Sequence, residues 1–319
     1  MPHRPLSTSP LLQTPPALMI LQQQIEHIVE QVNEMKDADF FQVREKVRYL
    51  NSVPTNSLNP NELVEILTYF QNFVIHLPMS IFPDEPLTFV RGRVSEDGKN
   101  FSNIREISYR SASNIGKGVG RAHSNGNTMF YASNYPEVVF SELGLKKGDI
   151  VNLLLGYAKG PLSLAVIGDL DNYRRTGRTI FSNAKYDSMY KQILSSLRPE
   201  ARTAVLLTDA FLHDRFSRHG ALEYDVSNAI TSMLFNIGPQ SIDGIIYRSL
   251  AHPGGSNFAI QPQCIDKHIE FRQVLSMEIV EVWDYGIYWA HESMSHSIDG
   301  NGVIEWREQP GAMYFGSDY

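Results

Sequence analysis

The chain has 319 residues, a formal charge of −7 from 28 basic and 35 acidic side chains, and a single cysteine, Cys264. A lone thiol excludes an intrachain disulfide framework and every zinc site built on two or more thiolates. The acidic balance speaks against extended nucleic acid as a partner, because that binding rests on a basic footprint. Hydrophobic residues at 42% and charged residues at 20% are enough for one large globular domain or two ordinary ones.

No apolar run approaches the roughly 20 residues of a bilayer span, and Pro15 and Pro16 interrupt the apolar patch near the start. The expectation is a soluble, cytoplasmic protein with no membrane partner. Residues 1–18, rich in Pro, Ser and Thr, are expected to form a mobile tail. Residues 19–82 are expected to form a helical subdomain, with a helical pattern to about Leu77: Leu21, Ile25, Ile28, Val29, Val32 and Met35 recur at three- and four-residue spacing. A further helix is predicted to start at Asn59-Pro60-Asn61 and to carry Leu63, Ile66, Leu67, Phe70 and Phe73. Residues 78–86 read as a linker. Between 83 and 263 strands are predicted at 87–94, 128–132, 150–155, 162–166 and 245–249. Helices are predicted at 136–143, 186–196, 202–213 and 224–235. From 264 to 319 the alternation of Met277, Ile279, Glu281 and Trp283, with a turn at Asp299-Gly300-Asn301-Gly302, predicts a strand-rich extension. Strands and helices mix without a regular βαβ beat, so the fold class is α+β.

Several familiar motifs fail. Gly116, Gly118 and Gly120 give G-x-G-x-G where a dinucleotide fingerprint needs G-x-G-x-x-G after a strand. His291 and His296 bracket a zincin-like stretch with one residue too many. On a helix that spacing sets the two rings about 140° apart, out of reach of one metal. No G-x-S-x-G elbow is present.

Four stretches carry residues with chemical potential. In a strand at 87–93, Arg91 and Arg93 share a face with Leu87 and Phe89. They make either two surface ion pairs or a guanidinium fork for a diphosphate or carboxylate. The glycine-rich stretch 116–127 holds Arg121 and His123 in either a long turn or a loop that a ligand backbone can approach. The helix at 136–143 opens on Pro136 and closes on Gly144. On it Glu142 lies over Val138 and Val139, which predicts an inward carboxylate needing a cation or strong donor. That carboxylate is either half of a structural ion pair or catalytic. Finally, the apolar run after Asp243-Gly244 ends at Ser249, followed by Gly254-Gly255-Ser256-Asn257. No histidine–acid pair is spaced near Ser249, which favours a hydrogen-bonding role for it.

Taken in order, these stretches resemble the RES domain, a family named for an arginine, a glutamate and a serine. The matching residues are Arg91, Gly120-Arg121, Tyr131 with Glu142 eleven positions on, Asp243-Gly244 leading to Ser249, and the loop ending at Asn257. The resemblance covers about residues 86–263. The sequence departs from it at His123, where the family carries Asn, and at Val90, where it often carries an aromatic residue, so Arg91 and Arg93 both remain candidates for the family arginine. The resemblance implies an ADP-ribosyltransferase-like mixed sheet, with NAD+ as substrate and no metal or other cofactor. It implies cleavage of the N-glycosidic bond to nicotinamide by hydrolysis or phosphorolysis. It further implies Arg91, Glu142 and Ser249 as catalytic residues and Arg93, Arg121, Tyr131 and Asn257 as substrate contacts, with Tyr131 stacking on nicotinamide. Many members are toxins held by an antitoxin, so a regulatory protein partner and a homo-oligomer are further expectations. Transfer of ADP-ribose to a macromolecule, and a non-enzymatic NAD-binding module, are the alternatives.

Overall fold

The computed structural model describes residues 15–75, 77–79, 87–95, 97–109, 120–122, 128–160, 162–180, 184–218, 223–236 and 242–315. Three helices come first: α1 (Pro15–Asn33), α2 (Asp37–Ser52) and α3 (Pro60–Phe70). The predicted start of α3 holds. Asn59 Oδ1 accepts from the Asn61 N–H at 2.9 Å, Pro60 follows, and Leu63, Ile66, Leu67 and Phe70 are its buried face. The expected tail is shorter than 18 residues, because α1 begins at Pro15; residues 1–14 lie outside the described residues. Proline is tolerated there because the first helical N–H groups have no intrahelical acceptor.

The chain continues through β1 (Leu77–Met79), β2 (Thr88–Val94), α4 (Ile104–Ile107), β3 (Phe130–Ser133), α5 (Pro136–Leu143), β4 (Ile150–Ala158) and β5 (Leu162–Val166). The helices α6 (Asp169–Thr176), α7 (Ala184–Ser196), α8 (Pro199–Phe216) and α9 (Glu223–Phe235) lead to β6 (Gly244–Arg248) and β7 (Ser256–Ile260). Then come α10 (Pro262–His268), β8 (Ile269–Trp283), β9 (Ile287–Ile298) and β10 (Ile304–Phe315). The class is mixed α+β. The expected linker is corrected at its start, where residues 77–79 form a strand paired with β5.

Ten strands form one sheet in the order β1-β5-β6-β7-β3-β2-β4-β8-β9-β10. Among the described residues only β5 and β6 run parallel, with the four helices α6–α9 between them. The C-terminal strands continue this sheet, since β8 pairs with β4 along its length. The N-terminal helices share its core: Ile25, Val43, Phe70, Ile246 and Phe258 belong to one apolar cluster.

Two details of register position the candidate site. First, β2 pairs with β4 from Thr88 to Val94 but with β3 only at Val90↔Ser133. The sheet therefore splays between β2 and β3. Second, alternation gives the two faces of β2 different neighbours. Val90 packs with Val139 and Phe140 of α5, Leu153 and Ile279. Arg91, opposite Leu154, looks to the other face, where Leu154 packs with Ile107, Val274 and Ile304.

Candidate active site

The site is built where α5 lies across the splayed sheet. The helix starts at Pro136 and ends at Gly144, whose φ of 60° lets the Leu145 N–H return to Phe140 O at 3.2 Å. Two glycines let other backbone segments approach it. A Cβ on Gly92 would meet Val139 Cγ1 at 2.3 Å, and one on Gly255 would meet Val138 Cγ2 at 2.4 Å. Gly92 thus seats α5 on β2, and Gly255 seats the loop after β6 against the same helix.

These approaches converge on Glu142. Its Oε1 accepts from Ser249 Oγ at 2.7 Å and from Asn257 Nδ2 at 2.5 Å. The donors are themselves oriented. The His252 N–H donates to Ser249 Oγ at 3.0 Å, which leaves the serine proton to point at the carboxylate. Ser133 Oγ donates to Asn257 Oδ1 at 2.7 Å, which turns the amide N–H toward Glu142. Ser133, Ser249 and Asn257 are buried, whereas Glu142 is exposed. Of the expected inward carboxylate held by a cation or a strong donor, the burial is corrected, because Glu142 is exposed, and the partners are donors. Among the described residues Glu142 has no cationic partner and is held by two neutral donors on one oxygen. Its side chain reaches past the apolar face of α5 to the edge of the site.

Of the seven residues expected in the site, the structure brings Glu142, Ser249 and Asn257 into direct contact. Tyr131 stands near them on β3, and its backbone is registered with Ala259, two residues from Asn257. Its phenol is not a free stacking group: the hydroxyl accepts from the Ala122 N–H at 3.0 Å, and burial pushes its pKa up. The sequence reading missed Tyr247 and Ser133. Tyr247 is buried opposite Asn257. Burial raises its phenol pKa, and the neighbouring Tyr131 and Glu142 raise it further. The signal for Ser133 was a polar residue at the buried end of a strand.

The arginines are placed differently from the expected clamp. Arg91 Nε donates to Ile107 O at 2.6 Å and Ser108 O at 2.9 Å, Nη1 donates to Tyr131 O at 2.6 Å, and the guanidinium lies over Phe130. It bridges the splay between β2 and β3 from the face opposite α5. Arg93, on that face too, donates to Glu106 O and lies over Phe101. Arg121 donates to Phe216 O and Arg218 O and lies over Tyr224. All three bind main-chain carbonyls, and Arg91 and Arg93 are separated from Glu142 by the sheet. Gly116, Gly118 and His123 lie outside the described residues. The zincin-like stretch is strand β9, as its sequence suggested, and among the described residues no group of three or more His, Cys, Asp or Glu is arranged to hold a metal.

A second polar cluster lies behind β6 and does not join the site. Asp169 and Asp209 are both buried, and each carboxyl is pushed up to about 7. Burial is the main cause for both, with Asp209 raising Asp169 and Asp171 raising Asp209. Asp209 accepts from the N–H groups of Gly168 and Asp171, each at 2.9 Å, and so holds the first turn of α6. Asp169 Oδ1 accepts from the Ile180 N–H at 2.6 Å. Arg248 and His213 stand beside them, and burial lowers the His213 pKa.

Comparison of the chain with protein-family models, with curated proteins and with solved structures gave no match. No helix among the described residues is long and apolar enough to cross a membrane.

Proposed function

We propose that the protein cleaves the N-glycosidic bond of NAD+ to release nicotinamide, with Glu142 as the carboxylate at the reacting ribose. The observation that carries this reading is the hydrogen-bonding of Glu142. Ser249 and Asn257 fix one carboxylate oxygen, while the residue stands exposed at the edge of a buried polar floor. The ordered resemblance to the RES domain supports the same choice of substrate. NAD+ needs no general acid, because its cationic leaving group departs as neutral nicotinamide. What the reaction needs is negative charge beside an oxocarbenium-like ribose, and a group to orient the acceptor. In hydrolysis water adds to the anomeric carbon as the bond to nicotinamide nitrogen breaks, and one proton passes through the carboxylate to solvent. With phosphate as acceptor a phosphate oxygen bonds the anomeric carbon as the bond to nicotinamide nitrogen breaks, which gives the 1-phosphate, and the carboxylate again stands beside the oxocarbenium-like ribose.

In this reading Ser249 and Asn257 hold Glu142 in one rotamer, and Arg91 sets β3 against β2 behind the ribose instead of gripping the diphosphate. The test is product analysis after incubation of NAD+ with the protein, with and without phosphate. Nicotinamide should accumulate with ADP-ribose or its 1-phosphate, and Glu142→Gln should lose activity by at least about a hundredfold with its fold intact. Undiminished turnover by E142Q would remove Glu142 from the mechanism. Label from NAD+ attached to protein or nucleic acid would instead identify a transferase.

A further inference from the structure

The connection between β8 and β9 ends in an aromatic tip, Trp283-Asp284-Tyr285-Gly286-Ile287. Tyr285 is 95% exposed, and Trp283 and Ile287 beside it are exposed too. Among the described residues Tyr285 is the one non-glycine with positive φ, at φ 67° and ψ 21°. Asn or Gly adopts that conformation at lower cost, and the departure is typical of functional segments. An aromatic side chain in this position gains nothing from burial, so neither packing nor backbone preference accounts for it.

The tip adjoins the candidate site. A Cβ on Gly286 would stand 3.2 Å from His252 Nδ1 and 3.4 Å from Ser141 Oγ. Ser141 precedes Glu142 on α5 and lies 3.3 Å from His252 Nδ1, and the His252 N–H donates to Ser249 Oγ. Two residues, His252 and Ser249, thus stand between the tip and the carboxylate. Tyr135 and Leu143, at the two ends of α5, are exposed as well.

We propose that Tyr285 is a stacking platform for the adenine base of NAD+, the end of the dinucleotide remote from the bond held at Glu142. The inference rests on the NAD+-cleaving reading of the site. On that reading the nicotinamide ribose lies against the carboxylate, so adenosine is the end that extends away from it, and the tip adjoins the site through His252 and Ser141. A flat base on an exposed ring gains stacking energy whatever its hydrogen-bonding edge.

The test uses Tyr285→Asn and Tyr285→Phe in the full chain, with NAD+ as substrate and AMP as competitor. Asn suits the left-handed backbone, so the first variant removes the ring while easing the turn. It should keep or raise the melting temperature. Its KM for NAD+ and inhibition constant for AMP should each rise about tenfold, the scale of one lost base stack. Tyr285→Phe keeps the ring and should stay within about twofold of wild type by the same reasoning. A wild type that cleaves NAD+ alongside a Tyr285→Asn variant with unchanged constants would overturn the platform alone. A wild type inert toward NAD+ would reject the reading of the site and the platform with it.

Discussion

At Oε1 of Glu142 a line of hydrogen bonds ends that starts from two separate backbone segments. The His252 N–H and the Ser133 hydroxyl fix the serine and the amide, and these two fix the carboxylate. No member of the line is charged except the last, so its orientation comes from donor direction and not from ion pairing. Asn257→Ala should leave the fold standing and lower kcat/KM for nicotinamide release about a hundredfold, the usual effect of a misplaced reacting group. Arg91→Ala should behave in the opposite manner. It strips a charged donor from the carbonyls of Ile107, Ser108 and Tyr131. Leaving such carbonyls unsatisfied costs about 1–3 kcal/mol. Urea unfolding should register the loss, and a KM effect without a stability effect would restore Arg91 as a direct substrate ligand. The residue types of the site were legible in the sequence. Glu142 stood out by its place on the helix, Ser249 by its place at a strand end and Asn257 through the ordered resemblance, and they meet. Their meeting itself could not be read, because Ser249 and Asn257 lie 107 and 115 positions from Glu142.

Secondary elements explain where the reading stopped. Period-two alternation correctly put Arg91 and Arg93 on one side of β2, but it cannot say which side receives the helix. The answer lay in the residue between them. Gly92 is the position where α5 touches the strand, and a glycine inside a strand pattern is itself a signal of close approach. Gly92→Ala should force Val139 and Leu143 away and draw Glu142 off its donors. Catalytic loss should exceed the thermal destabilisation, and an active, fully stable variant would show that α5 can shift freely. Helix α6 and strand β7 escaped the reading because each is short and polar at one end, Asp169 and Asp171 in one case and Ser256 and Asn257 in the other. The α6 region also carries a pH dependence. The folded pKa values of Asp169 and Asp209, about 7, stand above the ordinary aspartate value. Between about pH 4 and about pH 7 the folded state then holds protons that the unfolded state has released, and this contribution to stability falls as pH rises. His213, whose pKa is lowered, acts with the opposite sign below its ordinary value. Asp169→Asn removes one acid and keeps an acceptor for Ile180. Its melting temperature should therefore gain on wild type as pH rises through that window and run parallel above it. A difference that does not change with pH would show that Asp169 ionises normally.

At the scale of the molecule, the N-terminal helices, the crossover helices and the central strands share one apolar cluster, while α5 and the C-terminal strands pack in two others. Phe70 of α3 meets Phe211 of α8 edge-on at 5.4 Å, in the cluster that also holds Ile246 and Phe258 of the central strands. The sequence showed the helical periodicity of the N-terminal region but not its partner, because a stripe of apolar side chains does not name the surface that covers it. Phe70→Ala should cost about 3–5 kcal/mol, and activity should disappear in the same transition as ellipticity. Two separate transitions would mean that the N-terminal helices melt on their own. The crossover between β5 and β6 has a further consequence, which concerns the order of synthesis. Glu142 leaves the ribosome before the strands that bring Ser249 and Asn257 beside it, which follow four helices later. The strand that completes β4 comes later still, at Ile269–Trp283. A nascent or prematurely ended chain therefore displays its carboxylate without the donors that aim it. Whatever this carboxylate does, it begins only once the chain has been made through Asn257.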